Sequence, residues 1–225
     1  LIEAIRAQGG IAQSFPLIEI QPATDCPDAL SHIGDYDLAI FVSRNAVECA
    51  WPCLSGPVPE SVQVVTVGQG TAAALEQRGQ QVNLMPGSRF DSEGLLAMPE
   101  LENLATKRVL IIRGQGGREL LAETLRMRGA SVDYAEVYQR LATKQALTYD
   151  VDEIDVIIIT STEALKYLQH IATQTNKSWL LEKPLLVIHE RIAIRARELG
   201  FTLNPVIAEQ ASDAALLDAL HSMNN

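Results

Sequence analysis

The stretch Val109-Leu-Ile-Ile-Arg-Gly-Gln-Gly-Gly-Arg-Glu-Leu-Leu-Ala-Glu-Thr-Leu-Arg-Met-Arg-Gly129 decides the fold class. Val109 to Ile112 is an unbroken apolar run, the pattern of a strand covered on both faces. Gly114, Gly116 and Gly117 then predict a tight turn with uncovered backbone amides. Leu120, Leu121, Thr124, Leu125 and Met127 follow at helical spacing, and Gly129 supplies a left-handed stop. A strand that feeds a helix through glycines predicts an anion site, because free N–H groups and the helix dipole point the same way. Arg113 and Arg118 flank this turn and add positive charge.

The same unit recurs on both sides of this stretch. Leu1 to Gln8 reads as an amphipathic helix stopped at Gly9-Gly10, with the strand expected before it outside this sequence. Phe15 to Pro22 is extended, its two prolines suited to a sheet edge. Asp37–Val42 and Val62–Val67 read as strands. The first is followed by a helix capped at Ser43 or Asn45, the second by Gly68-Gln-Gly-Thr71 and a helix to Arg78. Gln81 to Met85 is strand-like, and Ser92 opens a short helix. Ser131 to Tyr138 is extended, alternating at Val132 and Tyr134 and, after a slip, at Val137. Strands at Asp155–Ile159, Pro184–Ile188 and Val206–Ala208 are followed by helices from Glu163, Glu190 and Asp213. Alternating strands and helices predict parallel sheets with helices on both faces. The polar turns then gather at the strands' carboxyl ends, where open parallel sheets bind ligands.

Bulk properties narrow the function. The chain has 225 residues, enough for one large or two small domains, and at 47% hydrophobic residues it has ample core material. No apolar run approaches the ~20 residues of a membrane span, and no signal peptide is visible. A formal net charge of -10 argues against nucleic acid as a partner. Cys26, Cys49 and Cys53 are a sparse, odd set that fits a reducing cytoplasm and three buried thiols. Cys49 and Cys53 sit four apart on a prospective helix face, with no His beside them to complete a zinc set. His32, His170, His189 and His221 are scattered, and only His189 follows a strand.

Taken singly, each turn is ordinary punctuation. The turn at Arg113 lacks both the spacing of a phosphate loop and that of a dinucleotide fingerprint, so nucleotide binding is disfavoured. Neither a metal cluster nor a nucleophile elbow can be assembled. Tyr138, at the end of an extended segment, reads by position alone as an ordinary buried aromatic residue.

Taken together, the turns resemble the uroporphyrinogen-III synthase family, and a bacterial member of it. The matching pieces are Phe15-Pro-Leu-Ile-Glu-Ile, Phe41-Val-Ser-Arg-Asn-Ala-Val, Val67-Gly-Gln-Gly-Thr-Ala and Asp91-Ser-Glu-Gly-Leu-Leu. Arg113-Gly-Gln-Gly-Gly-Arg-Glu-Leu-Leu, Val137-Tyr-Gln-Arg, Ile159-Thr-Ser and Ile188-His-Glu-Arg-Ile-Ala continue the series in family order. The resemblance implies an α/β fold of two doubly wound parallel-sheet domains joined by a two-stranded antiparallel linker. One domain is discontinuous, residues 1–18 with 139–225, its first strand missing here; the other is inserted, residues 23–137. The linkers fall near Phe15–Pro22 and Val132–Ala142, and a paired linker of this kind lets domains open and close.

The resemblance also implies a reaction. Hydroxymethylbilane loses its terminal hydroxyl as water, and the substituted carbon of the last pyrrole attacks the resulting azafulvene cation. A spiro intermediate then fragments and recloses as uroporphyrinogen III, with that ring inverted. No cofactor and no metal are required, and the protein's task is largely to hold a flexible chain in its productive shape. Tyr138 matches the family tyrosine proposed to assist hydroxyl departure, and a phenol keeps its proton at neutral pH and can donate it. Acetate and propionate groups on each pyrrole suit helix N-termini and bare amides. Ser43, Asn45, Gly68, Gly70 and Thr71, extended by Arg113 and Gly116, are expected to bind them from one domain. Thr160, Ser161 and Thr162, with Arg191, are expected to do so from the other. The turn His189-Glu190-Arg191-Ile192 departs from the hydroxyl-rich family pattern.

The expected partners are the small-molecule bilane and, either directly or through solution, the upstream bilane-producing enzyme. A cytoplasmic monomer is expected, with no nucleic acid and no membrane. The alternative is a non-catalytic two-lobed binder of a small polycarboxylate. A receiver-type regulatory domain fits less well, because Asp37 and Asp155 precede their strands.

Overall fold

The computed structural model describes residues 1–143 and 147–223. The chain divides into two compact units, Ile20–Leu141 and Leu1–Glu19 with Ala142–Asn225.

The continuous unit is built on a sheet of five strands: β1 (Ile18–Pro22), β2 (Leu38–Phe41), β3 (Gln63–Thr66), β4 (Arg108–Gly114) and β5 (Ser131–Ala142). Their spatial order is β1-β5-β4-β2-β3. β2 pairs in parallel with β3 and β4, and β4 pairs in parallel with β5. β1 runs against β5, since the Ala23 amide donates to Val137 while the Thr143 amide donates to Leu17. The boundary between the two units falls inside both of these strands.

The apolar run Val109–Ile112 behaves as its composition demands. Leu110 and Ile112 face one core with Ala39 and Phe41, against α3 (Arg44–Ala50) and α4 (Gln69–Glu76). Val109 and Ile111 face the other with Leu38 and Ile40, against α5 (Ser92–Leu96) and α6 (Leu120–Met127). Successive residues of a strand point to opposite faces, so a strand sandwiched between helix layers must be apolar at every position. The strand expected over Gln81–Met85 is reduced to a single parallel bridge between Val65 and Leu84. Gly129, at a φ of 93°, ends α6 as expected, and a Cβ there would lie 3.1 Å from the Ala105 backbone.

The discontinuous unit carries the parallel strands β6 (Ile157–Ile159), β7 (Leu185–Val187) and β8 (Val206–Ile207), in that order. α7 (Thr162–Gln174) and α8 (Glu190–Glu198) share one core with Leu185 and Val187. Leu186 faces the other with α9 (Asp213–Met223) and Leu1, which precedes α1 (Ile2–Ala7).

The reading of three free cysteines is corrected. Cys26 and Cys53 form a disulfide across 27 residues of sequence, and Cys49 alone is free. Cys53 lies past the end of α3 in the turn Trp51–Cys53, so it does not share a helix face with Cys49. The bridge closes a loop that contains α2 (Asp28–Ser31), β2 and α3, a proximity that spacing alone does not reveal. Closing a loop of this length is worth about 3.5 kcal/mol in the chain-entropy account. Cys26→Ser is therefore expected to lower the denaturation midpoint of oxidised protein, and dithiothreitol to lower the wild type to the same value. Equal midpoints for oxidised wild type and variant would exclude a stabilising bridge.

Candidate active site

β2, β3 and β4 run in parallel, so the turns that follow them emerge from one edge of the sheet. Ser43 follows β2 and caps α3, its Oγ accepting the Ala46 amide at 3.1 Å. Asn45 is half-buried in the first turn of the same helix. Gly68 follows β3 and occupies the N-cap of α4 without a capping side chain. Phe90 packs where a Gly68 side chain would stand, 3.2 Å from the Cβ position, whereas Gly70 faces open space. Thr71 is buried, with 5% exposure, and its amide donates to the Gly68 carbonyl, so this hydroxyl belongs to the helix–sheet interior.

Tyr138 reaches this edge through an irregularity in β5. The pairing runs Arg113 with Glu136 and then Gly114 with Tyr138, skipping Val137. A bulge of this kind re-aims a side chain. Ala135, Val137 and Tyr138 consequently share one core, although strict alternation would send Tyr138 to the opposite face. The slip expected before Val137 is not there, because Val132 and Tyr134 face one core and Ala135 and Val137 the other in strict alternation; the irregularity falls after Val137. The Tyr138 ring lies across Gly114, where an added Cβ would stand 2.5 Å from Cε2 and 2.6 Å from Cζ. Only a glycine on the intervening strand β4 lets a tyrosine of β5 reach over to the turn after β2. There its hydroxyl meets Ser43 Oγ at 3.2 Å, and Arg140 Nη2 donates to it at 3.2 Å. The ring is 2% exposed, so its single polar atom is held by a hydroxyl and a cation at the sheet edge.

The glycine turn after β4 is built differently from the expected anion site. α6 starts only at Leu120, past the glycines, with Glu119 at its N-cap. Gly116 and Gly117 take φ values of 71° and 110°. Arg113 folds back into the turn, 6% exposed, donating to the carbonyls of Gly114 and Gly116 and to Glu119 at 3.0 Å. Its guanidinium also lies over the Tyr134 ring at 4.5 Å. The Gly116 amide faces Glu136 Oε1 at 3.4 Å. Two of the protein's own carboxylates thus face the groups that were expected to receive an anion. Arg118, the other flanking charge, pairs with Glu93 at 3.3 Å.

The Tyr134 hydroxyl, and then Arg113, hold the Glu119 carboxyl below its ordinary range. A carboxylate depressed in the folded state contributes stability in full above its unfolded value, about 4.3, and loses it as pH falls through the lower folded value. Thermal unfolding should therefore show wild type losing more stability between about pH 5 and 3 than Glu119→Gln. Parallel curves would refute this assignment.

In the discontinuous unit, Ser161 caps α7 by accepting the Ala164 amide at 3.0 Å. Thr160 is exposed in the turn after β6, and Thr162 is the first residue of the helix. Arg191 is exposed in the first turn of α8, whose N-cap residue His189 makes no side-chain cap. Among the described residues, no group of three or more His, Cys, Asp or Glu side chains is arranged to hold a metal ion. No helix among them is long and apolar enough to cross a membrane.

Arg140 and Gly114 are the residues that sequence reasoning missed. Tyr138 and Arg140 are two apart on an extended segment, which places them on one face, and that signal was available. Gly114 read only as turn chemistry, because its neighbour is 24 residues away in the chain.

Parallel sheets with polar turns at their strand ends, and a tyrosine hydroxyl held there by a serine and an arginine, define a two-unit α/β protein. The sequence profile described as uroporphyrinogen-III synthase HemD matches residues 1–218. Uroporphyrinogen-III synthase of Escherichia coli (strain K12) is 39% identical over 98% of this chain and 94% of its own length. That of Salmonella typhimurium (strain LT2) is likewise 39% identical over the same shares. The chain belongs to the uroporphyrinogen-III synthase family, cyclising lyases of tetrapyrrole biosynthesis. In fold it resembles uroporphyrinogen-III synthetase from Helicobacter pylori 26695, at a TM-score of 0.66, 18% identity and coverage of 94% of this chain and 92% of that one. A crystallised mutant of the synthase from Thermus thermophilus gives a TM-score of 0.61 at 16% identity, covering 99% and 92%. These matches lend nothing to the reading as a non-catalytic binder.

Proposed function

We propose that this chain closes hydroxymethylbilane to uroporphyrinogen III with Tyr138 as the proton donor. The single observation that carries the residue assignment is the Tyr138 hydroxyl, held by Ser43 and Arg140 at the edge where the parallel strands end. Its proton passes to the terminal hydroxyl of the bilane, the C–O bond breaks, and water leaves with the bonding electrons. The azafulvene cation so formed is attacked by the substituted carbon of the last pyrrole, giving the spiro intermediate. Cleavage of that ring's original link and reclosure invert it. Loss of a ring proton restores aromaticity and returns a proton to the phenolate, so the cycle consumes nothing and releases one water.

The substrate carboxylates are taken by the uncapped start of α4 at Gly68 and Gly70, and by Asn45. In the other unit the Thr160-Ser161-Thr162 turn and Arg191 take them. Uncovered amides at a helix start and exposed hydroxyls suit carboxylate oxygens. Ser43 serves Tyr138, Thr71 the helix, and Arg113 with Gly116 the shape of the glycine turn. Residues 1–18 with 139–225 act as one domain and 23–137 as the other. The protein works as a cytoplasmic monomer, receiving bilane from the upstream enzyme.

The test is direct. Folded protein is incubated with freshly made hydroxymethylbilane, the products are oxidised, and the porphyrin isomers are separated chromatographically. Isomer III in excess of the spontaneous isomer I is expected, and isomer I alone would overturn the reading.

A further inference from the structure

We propose that Arg140 is the positioning residue that makes Tyr138 an effective acid, a proposal that rests on the reading of Tyr138 as proton donor. Both side chains leave β5 on the same face, two residues apart. Tyr138 is buried while Arg140 is exposed at the rim, its Nη2 3.2 Å from the phenol oxygen and its guanidinium carbon 5.5 Å from the ring centroid.

A phenol oxygen has one hydrogen and two lone pairs, whereas a guanidinium can only donate. The Arg140 contact therefore fills an acceptor site and turns the Tyr138 proton away from the arginine. Ser43 lies on the other side at 3.2 Å, its own oxygen already accepting the Ala46 amide. The rotor is thus fixed by groups on β5 and at the start of α3, and Gly114 beneath the ring sets its tilt.

The same contact matters more after proton transfer. The oxygen then carries negative charge on a side chain that is 2% exposed, where water solvates it poorly. A cationic N–H already in place becomes a charge-assisted hydrogen bond at that moment, with no reorganisation. Interactions stronger in the transition state than in the ground state raise kcat. Arg140 does this through Tyr138, without itself touching the reacting atoms.

The experiment compares wild type, Arg140→Met, Arg140→Lys, Tyr138→Phe and Tyr138→Phe/Arg140→Met for kcat, KM and isomer ratio, each confirmed folded by circular dichroism. Arg140→Met is expected to lose on the order of 10- to 100-fold in kcat with KM little changed, and isomer I to rise. Arg140→Lys, which keeps the cation, should recover part of the loss. In the Tyr138→Phe background the Met substitution should cost nothing further, since its target oxygen is gone. An unchanged kcat, a rise in KM alone, no recovery with lysine, or an equal loss in both backgrounds would each overturn the proposal. A fully active Tyr138→Phe would instead remove the proton-donor reading itself, a result the single variant reports independently.

Discussion

Tyr138→Phe is expected to lower kcat by about 10²-fold or more while leaving the protein folded, since positioned acids contribute ~10²–10⁴-fold. The ring survives this substitution, so the core contacts with Ala135 and Val137 are kept. What disappears is one oxygen, and with it the hydrogen bonds to Ser43 and Arg140. Ser43 still accepts the Ala46 amide, so the cap of α3 remains. The net cost in stability is about 1 kcal/mol. Hydroxymethylbilane left waiting at the slowed step closes by itself to isomer I. The isomer ratio, read by chromatography at fixed time, is therefore a more sensitive measure than total porphyrin. A variant with wild-type kcat and wild-type isomer ratio would show that the tyrosine only fills space.

Gly114→Ala is expected to damage both stability and turnover. Its Cβ would stand 2.5 Å from Cε2, 2.6 Å from Cζ and 3.0 Å from the hydroxyl of Tyr138. None of these atoms is the loose end of a flexible chain, and the ring is closed in on its other sides. Overpacking of this sort costs about 1–3 kcal/mol. The ring must tilt, and the hydroxyl at its tip moves furthest. A displacement near 1 Å can cost ~10²-fold in rate. Tyr138→Leu removes the atoms that collide, so Gly114→Ala should destabilise a Tyr138→Leu protein far less than wild type. Chemical denaturation of the four proteins measures this coupling, and additive losses would refute the stacking of ring on glycine.

Much of the architecture is legible in local chemistry. The run Val109–Ile112 is apolar at every position, and only a strand covered on both faces needs that. Ser43, Asp91 and Ser161 stand one residue before helices and cap them, accepting the amides of Ala46, Gly94 and Ala164. These signals act over three or four residues and survive in any tertiary setting. The glycine turn misled for the converse reason. Free amides were inferred from glycines, but Glu119 and Glu136 come to face that turn only after β4 and β5 have paired.

The sequence by itself therefore determined the alternation of strand, turn and helix, and the ordered set of turns that marks the family. Periodicity and capping are properties of adjacent residues, and they need no partner from elsewhere in the chain. The tertiary structure decided the placement of Tyr138. Strand order sets β4 between β5 and β2, the bulge turns the ring toward their shared core, and Gly114 lets it cross. It also decided that the hydroxyl meets Ser43, 95 residues away in the chain, and that Cys26 meets Cys53. Side chains so far apart come together only through strand order and register, which depend on the packing of the whole sheet.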